Sequence, residues 1–371
     1  MSCLRRVLAI LVLVSLTQAI LANEPLTVAG GNPPSQPRQP QIVVDEKGTV
    51  HATYGAAGVV YYARLEAGSP AFDAPVKVGD VAGMALGRRR GPRIGAGSDS
   101  IVIAAIGHED GNVRAWRSAD GKRWDGPVTV NDSPRDAREG LHSLARGPKG
   151  ELFCVWLDCR QQERGQRLFG ASSKDGGRTW TANREIYRSP SGTICECCHP
   201  SVTFDASGKL LVMWRNSVAG SRDMYWTSST DGGQSFGKAT KLGAGTWPLN
   251  ACPMDGGNIA AAPGGELFTA WRRDKEVFLT SANRTDEQLL GTGQQPWIGA
   301  TERGPHVVWL QQGGKLLYMA PGAREPQELA SQASDPVIVC GPAGKGPLVA
   351  AWEAKRGSGT AVMCQVLSDQ K

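Results

Sequence analysis

Residues 173–180 read Ser-Lys-Asp-Gly-Gly-Arg-Thr-Trp, and this stretch returns at residues 229–236 as Ser-Thr-Asp-Gly-Gly-Gln-Ser-Phe. A shorter version, Ser-Ala-Asp-Gly-Lys-Arg-Trp, stands at residues 118–124. Each copy lies between two short strand-like runs and suits a tight turn, because Ser and Asp side chains bond nearby backbone N–H groups and Gly adopts positive φ. Three copies in the same relation to their flanking strands indicate an internal structural repeat, which constrains the architecture.

A longer repeat extends along most of the chain. It consists of a short apolar run, a turn with Gly and an alternating strand that often ends in Trp. Seven copies begin near residues 40, 92, 142, 200, 258, 296 and 336. Most continue with a third strand and several with a fourth, so the pattern predicts an all-β chain: a β-propeller of four-stranded antiparallel blades.

The ends of the chain are predicted to close the ring. The seventh copy has only three strands before Lys371, while residues 25–29 resemble the fourth strand of other copies. We therefore expect an N-terminal strand to complete the last blade. In such a propeller, the loops that enter strand one and the loops that join strands two and three meet on one side, here called the ligand face.

The turn motif resembles the Asp-box (S-x-D-x-G-x-T-W) of the sialidase-like superfamily, whose members carry it as the BNR repeat. The matching positions are Asp120, Asp175, Trp180, Asp231 and Phe236. The resemblance alone implies six blades, whereas the repeat count favours seven. Because Asp-boxes join strands three and four, they lie opposite the ligand face, and their role is expected to be structural.

The N-terminal residues are typical of an export signal. Arg5 and Arg6 precede an apolar run at residues 7–16 that is short for a membrane span, and Ala19 and Ala22 offer cleavage points. A membrane anchor is the alternative. We expect residues 1–22 to be removed, leaving residues 23–371 as one propeller domain, a periplasmic or secreted monomer without membrane insertion.

The charge balance argues against nucleic acid as a partner. Without residues 1–22, the chain holds 39 basic and 35 acidic residues, and the surplus is small and dispersed. With 47 Gly and 23 Pro, the composition favours many short strands and turns.

An unusual group of cysteines is expected on the ligand face. Residues 195–200 read Cys-Glu-Cys-Cys-His-Pro in the loop entering blade four. Eight cysteines remain after the signal, an even number that favours disulfides in an oxidising compartment. Thiolate and imidazole ligands also suit copper or zinc, so a metal site is the competing hypothesis. The candidate ligands, or disulfide partners, are Cys159, Cys195, Cys197, Cys198, His199 and Cys252.

The resemblance also implies a sialidase-type site, with an arginine triad that binds a carboxylate, an Asp acid/base and a Tyr–Glu nucleophile pair. Arg93-Ile94-Gly95 matches two positions of the Arg-Ile-Pro motif of the first arginine. Further candidate ligand-binding residues are Arg215 and Arg272, and candidate catalytic residues are Arg93, Asp158 and Glu196. None of the six tyrosines has a Glu partner in a recognisable motif.

Three functions follow from these features. The favoured one is an exported propeller that binds a metal or a small anionic or carbohydrate ligand without sialidase turnover. The second is a glycoside hydrolase that acts on terminal acidic sugars. The third is a structural protein-interaction module, because a fold does not determine a function.

Overall fold

The computed structural model describes residues 24–30, 36–160 and 165–367. Within them, seven four-stranded antiparallel sheets follow one another along the chain. Sheet one contains β2 to β5 at Arg38–Val44, Val50–Ala56, Val59–Leu65 and Val76–Asp80. Sheet two contains β6 to β9 at Arg93–Ala96, Ile101–Ile106, Val113–Ser118 and Asp125–Thr129. Sheet three contains β10 to β13 at His142–Arg146, Leu152–Asp158, Arg167–Ser173 and Arg184–Tyr187.

The remaining sheets repeat the same order. Sheet four contains β14 to β17 at Ser201–Phe204, Leu210–Arg215, Met224–Ser229 and Thr240–Lys241. Sheet five contains β18 to β21 at Asn258–Ala261, Leu267–Arg273, Glu276–Ser281 and Gln288–Thr292. Sheet six contains β22 to β25 at Gln294–Thr301, Gly304–Leu310, Leu316–Met319 and Gln327–Ala330. Sheet seven contains β26 at Ala333–Cys340, β27 at Leu348–Arg356, β28 at Gly359–Leu367 and β1 at Leu26–Gly30, and a 3₁₀ turn spans Pro342–Gly344.

The ring closes as the sequence predicts. β1 pairs antiparallel with β28, with Leu26 opposite Cys364 and Gly30 opposite Ala361, so the first strand is the outermost strand of the last blade. The count of seven blades is confirmed, and the six-blade alternative is wrong. The repeat starts outweigh the family resemblance here because each start encodes one complete sheet.

The core lies between the blades. The second strand of a blade is buried along its length, as in β7 and β11, because each sheet is covered by a neighbouring sheet on either face. Large aromatic rings fill the space near the ends of these strands. The fully buried tryptophans are Trp156, Trp214, Trp309 and Trp352.

The three Asp-boxes connect strands three and four of blades two, three and four, as predicted. In the second copy, Ser173 Oγ accepts the Gly177 N–H at 2.9 Å and Asp175 Oδ1 accepts the Thr179 N–H at 2.9 Å. The aromatic of the third copy, Phe236, meets Phe153 of the preceding blade edge-on at 6.0 Å between ring centroids. The motif therefore closes its own turn and joins adjacent blades.

The predicted signal at residues 1–22 lies outside the described residues. In the part of the chain that the structure describes, no helix is both long and apolar enough to cross a membrane.

Candidate functional site

Three cysteines meet in the loop that enters blade four. The ligand atoms of Cys195, Cys197 and Cys198 all lie within 4.8 Å of one another. The Cys195 sulfur is 3.4 Å from that of Cys198 and 3.7 Å from that of Cys197. All three side chains are buried, with at most 5% of their surface exposed. We refer to these three residues as the thiol cluster.

The backbone explains how so short a loop gathers three sulfurs. The Cys195 N–H donates to the carbonyl of Arg215, at the end of β15, which holds the start of the loop against the second strand of the same blade. The chain then turns through residues 196–198 before β14 begins at Ser201. Glu196 points out of this turn and is exposed, whereas the cysteines on either side of it point inward.

The three thiols shift one another's pKa in opposite directions. The hydrogen bonds that join Cys195 to Cys197 and then to Cys198 lower the pKa of Cys195. The same bond raises the pKa of Cys197, while burial raises that of Cys198. Cys195 is therefore the thiol of the cluster whose pKa is lowered, and its two neighbours are the thiols whose pKa is raised.

The structure brings one further predicted cysteine, Cys252, to the edge of the thiol cluster and leaves Cys159 and His199 outside the mutually close ligand atoms. Cys252 is exposed, and its thiol is hydrogen-bonded to Cys197, which raises the pKa of Cys252. The Cys159 thiol lies against Asp136, with its sulfur 3.6 Å from Oδ1. His199 stacks on Trp297 at 5.5 Å between ring centroids and is not among the mutually close ligand atoms. The metal roles of Cys159, His199 and Cys252 remain predictions.

The expected disulfides are not found. Among the described residues, no two cysteines are joined by a disulfide bond. The sulfur separations of 3.4 and 3.7 Å in the thiol cluster are contacts rather than bonds, since a disulfide bond is about 2.05 Å long. The even number of cysteines favoured disulfide pairs, whereas three of the cysteines converge on one point without pairing.

The arginines carried over from the sialidase resemblance bind the backbone. Arg93 is 2% exposed and donates to the carbonyls of Arg89, Pro92 and His142. Burial lowers its pKa to about 9. Arg215 is 1% exposed and donates to the carbonyls of Asp255, Arg222 and Arg272. These guanidinium groups join neighbouring blades on the ligand face.

Arg272 is the most accessible of the three predicted ligand-binding arginines. Its side chain is 22% exposed, and its guanidinium lies over Trp247 at 5.6 Å from the ring centroid. Arg215 also lies over that ring, at 5.2 Å, so the indole is held between two cations. Their ligand-binding roles remain predictions.

The candidate carboxylates have different surroundings. Asp158 is fully buried and forms an ion pair with Arg160 at 2.9 Å, while its Oδ2 accepts the Trp156 indole N–H. Glu196 is exposed and accepts a hydrogen bond from Thr193 at 3.0 Å. Asp158 is therefore paired with the neighbouring Arg160, and Glu196 faces solvent. The two carboxylates do not contact each other as an acid pair on one substrate would, and their catalytic roles remain predictions.

The hydroxyl groups of Tyr62 and Tyr187 contact groups other than glutamate. Tyr62 is 2.8 Å from a His51 ring nitrogen, and Tyr187 accepts a hydrogen bond from Asn216 at 2.7 Å. Burial raises the pKa of Tyr54 and Tyr62. A tyrosine nucleophile requires the opposite change, toward the phenolate.

Several buried polar atoms in the loops of the ligand face have no hydrogen-bond partner in the described part of the chain. They are both ring nitrogens of His199, Oδ1 of Asp255 and Nε of Arg89. Arg89 also donates to the carbonyls of Gln295 and Pro336 and lies over Trp297 at 4.9 Å. Burial, followed by the charges of Arg89, Arg93 and Arg215, lowers the pKa of His199, so its imidazole is neutral.

Sequence reasoning missed two residues here. Arg89 stands in a run of three arginines at residues 88–90 that was not assigned to the site, and it is 2% exposed. Met254 packs against the thiol cluster from the loop entering blade five. The sequence signal that could have found Met254 is its position two residues after Cys252, a predicted site residue.

Comparisons with known proteins place this geometry in context. Residues 101–252 match the family model described as a BNR repeat-like domain. No curated protein matches the chain. Three solved structures illustrate the fold, and each aligns over at least 85% of this chain.

The first is an ulvan lyase of polysaccharide lyase family PL25, with 11% identity over 94% of this chain and 96% of its own, at a TM-score of 0.58. The second is an α-L-arabinanase from Penicillium chrysogenum in complex with arabinobiose, with 14% identity over 94% and 99%, at a TM-score of 0.55. The third is a Hadza microbial sialidase, with 12% identity over 85% and 73%, at a TM-score of 0.51. At these identities the likeness concerns the fold alone.

Proposed function

We propose that this seven-bladed propeller, whose residues 101–252 match a BNR repeat-like family model, binds a soft metal ion, copper or zinc, at the thiol cluster. The observation that carries the proposal is the convergence of three buried cysteine sulfurs within 4.8 Å. Cys195, Cys197 and Cys198 are the proposed ligands.

The chemistry of the donors supports a soft ion. Thiolates are the preferred ligands of copper(I) and are common ligands of zinc. Hydrogen bonds between sulfurs join Cys195 to both Cys197 and Cys198, so thiol protons hold the cluster together. A metal ion would replace those protons and satisfy all three sulfurs at once.

The distances support the same proposal. Metal–sulfur bonds of about 2.3 Å place two sulfurs about 3.8 Å apart in a tetrahedral site and about 4.0 Å apart in a trigonal one. The observed separations from Cys195 are 3.4 and 3.7 Å. Small side-chain movements would therefore suffice, and the backbone needs no rearrangement.

The sialidase alternative receives less support. Carboxylate recognition needs guanidinium N–H groups that point toward the ligand. The donors of Arg93 and Arg215 point at backbone carbonyls, and neither side chain is more than 2% exposed. A carbohydrate or small anion bound elsewhere on the ligand face is compatible with the metal proposal, and Arg272 beside Trp247 would be its point of contact.

The proposed cellular location is outside the cytoplasm, as a monomer released from its signal. The support is the apolar run after Arg5 and Arg6, followed by small residues. Fractionation of the producing cells and N-terminal sequencing of the mature protein test this proposal. A start near residue 23 is expected, and a cytoplasmic chain that retains residue 1 would contradict it.

Metal content is the decisive measurement. The full-length mature protein should be purified without chelators and analysed for copper and zinc by mass spectrometry, with a parallel count of free thiols after denaturation. We expect about one metal ion per chain. The double substitution Cys197→Ser/Cys198→Ser should remove it.

The matched control is Cys364→Ser, which changes a buried thiol in β28 of blade seven, outside the cluster and outside the predicted ligands. This variant should retain its metal. Circular dichroism should show that all three proteins are folded. A wild-type protein that binds neither metal after reduction and reconstitution, or a double variant that binds as much as the wild type, would refute the proposal.

A further inference from the structure

Met254 occupies the side of the thiol cluster formed by the neighbouring blade. It lies in the loop entering blade five and is the partly buried hydrophobic residue packed against Cys195, Cys197 and Cys198. Its backbone also forms a hydrogen bond to Cys197. Residues from two blades thus meet at the cluster, and the residue from the second blade is a methionine.

The backbone holds Met254 in an unfavourable conformation. Its φ is 52°, in the left-handed region that residues other than Gly, Asn and Asp rarely adopt. The next residue fixes this conformation, because the Asp255 carbonyl accepts two hydrogen bonds from Arg215 and its Oδ2 accepts the Gln295 N–H at 2.7 Å. Strained residues held by their surroundings are concentrated at functional sites.

The thioether sulfur of Met254 contacts a charged group. The Met254 sulfur accepts a hydrogen bond from the guanidinium of Arg88, on the loop entering blade two. A methionine that only fills space in a core has hydrocarbon around its sulfur. Here the Met254 sulfur contacts the guanidinium of the exposed Arg88, so it is not enclosed by hydrocarbon alone.

We propose that Met254 is a thioether ligand of the metal bound by the thiol cluster and that it makes the site selective for copper(I) over zinc. This inference rests on the proposed function. Thiolate and thioether sulfurs together are typical of copper(I) sites, whereas structural zinc sites use cysteine and histidine. The ligand set is therefore three cysteine sulfurs from blade four and one methionine sulfur from blade five.

Paired affinity measurements test the selectivity. Reduced, metal-free protein is titrated with copper(I) against bicinchoninate and, separately, with zinc against a chromophoric chelator. Met254→Leu is close in volume and preserves packing. It should weaken copper(I) binding tenfold or more and change zinc binding less than twofold. Met319→Leu, in β24 of blade six, is the matched control and should change neither affinity.

A spectroscopic measurement tests the bond itself. In copper-loaded selenomethionine protein, X-ray absorption at the selenium edge should show a copper neighbour, and Met254→Leu should abolish that signal. A site without copper–selenium contact, or a Met254→Leu variant with unchanged copper affinity, would overturn the role of Met254 and leave the cysteine site intact. Equal losses of copper and zinc affinity would overturn the selectivity. If the wild type binds neither metal, the proposed function itself fails.

Discussion

Two carboxylates on opposite faces of the propeller show how its faces differ. Asp231, in an Asp-box, is solvent-exposed and accepts hydrogen bonds from Ser229, Gln234 and Ser235, which lower its pKa. Asp255, on the ligand face, is 1% exposed and has one oxygen without a partner in the described part of the chain, and burial raises its pKa. The Asp231 carboxylate completes a turn, whereas the Asp255 carboxylate is buried with one oxygen that accepts no hydrogen bond from the described residues.

The comparison extends to the groups around each carboxylate. The Asp-box hydroxyls bond within their own turn, as Ser229 Oγ does with the Gly233 N–H at 2.9 Å. Asp255 follows the strained Met254, which packs against the thiol cluster, and on the same face both ring nitrogens of His199 have no hydrogen-bond partner in the described part of the chain. Buried polar groups without partners cost free energy, and folds retain them mainly where a ligand, ion or water completes them. The contrast therefore separates architecture from candidate function.

The largest effect is expected from Arg215→Met, which tests whether ligand-face arginines are structural. The substitution leaves three carbonyls that bound Arg215 without their donor, at about 1–3 kcal/mol for each buried group that stays unsatisfied. We expect a loss of about 3–5 kcal/mol in the free energy of unfolding, measured by denaturant titration of the metal-free protein. Arg178→Met, at an exposed Asp-box position, should change it by less than about 0.5 kcal/mol. An unchanged stability in Arg215→Met would mean that this guanidinium is available to a ligand.

A smaller, pH-dependent effect is expected from Asp175→Ala. At neutral pH the variant should lose about 1 kcal/mol, a value reduced because the turn is accessible to solvent. Hydrogen bonds lower the pKa of Asp175 from 3.8 to about 2, so its contribution is present above pH 3.8 and is lost as the pH falls through about 2. The difference in melting temperature from wild type should therefore shrink in acid.

Metal content provides the control for the Asp175→Ala experiment. The Asp-box lies on the face opposite the thiol cluster, so the variant should bind as much copper or zinc as wild type. A variant that keeps its melting temperature but loses metal would reverse the assignment of faces. Lys174→Ala, at the exposed neighbouring position, should alter neither property.

The fold could be predicted from the sequence because each blade repeats its own local signals. The runs that begin near residues 142 and 200 become first strands at His142–Arg146 and Ser201–Phe204, and the motif at 173–180 becomes the expected turn. Even closure was predictable, since residues 25–29 already had the pattern of a fourth strand. Local periodicity and turn chemistry carry this information without knowledge of distant contacts.

The site was predictable only where its parts are adjacent in sequence. Cys195, Cys197 and Cys198 come together because one short loop holds them. The contact of Arg88 with Met254 joins residues 166 positions apart, and it depends on how the ring closes. The identity of Arg93 did not reveal what it binds, because a guanidinium can donate to a backbone carbonyl as well as to a substrate carboxylate.

The smallest effect is expected in an assay for hydrolysis of sialic acid conjugates, where we predict no turnover. A sialidase needs guanidinium groups open to the substrate carboxylate and a tyrosine activated by glutamate. Arg93 is 2% exposed and bonded to carbonyls, and the hydroxyls of Tyr62 and Tyr187 contact His51 and Asn216. A fluorogenic sialoside should therefore give no rate above buffer with metal-free or metal-loaded protein, beside an authentic sialidase that proves the assay. Turnover that persists in Cys197→Ser/Cys198→Ser but disappears in Arg272→Ala would instead place a glycosidase on the ligand face, centred on its one partly exposed predicted arginine.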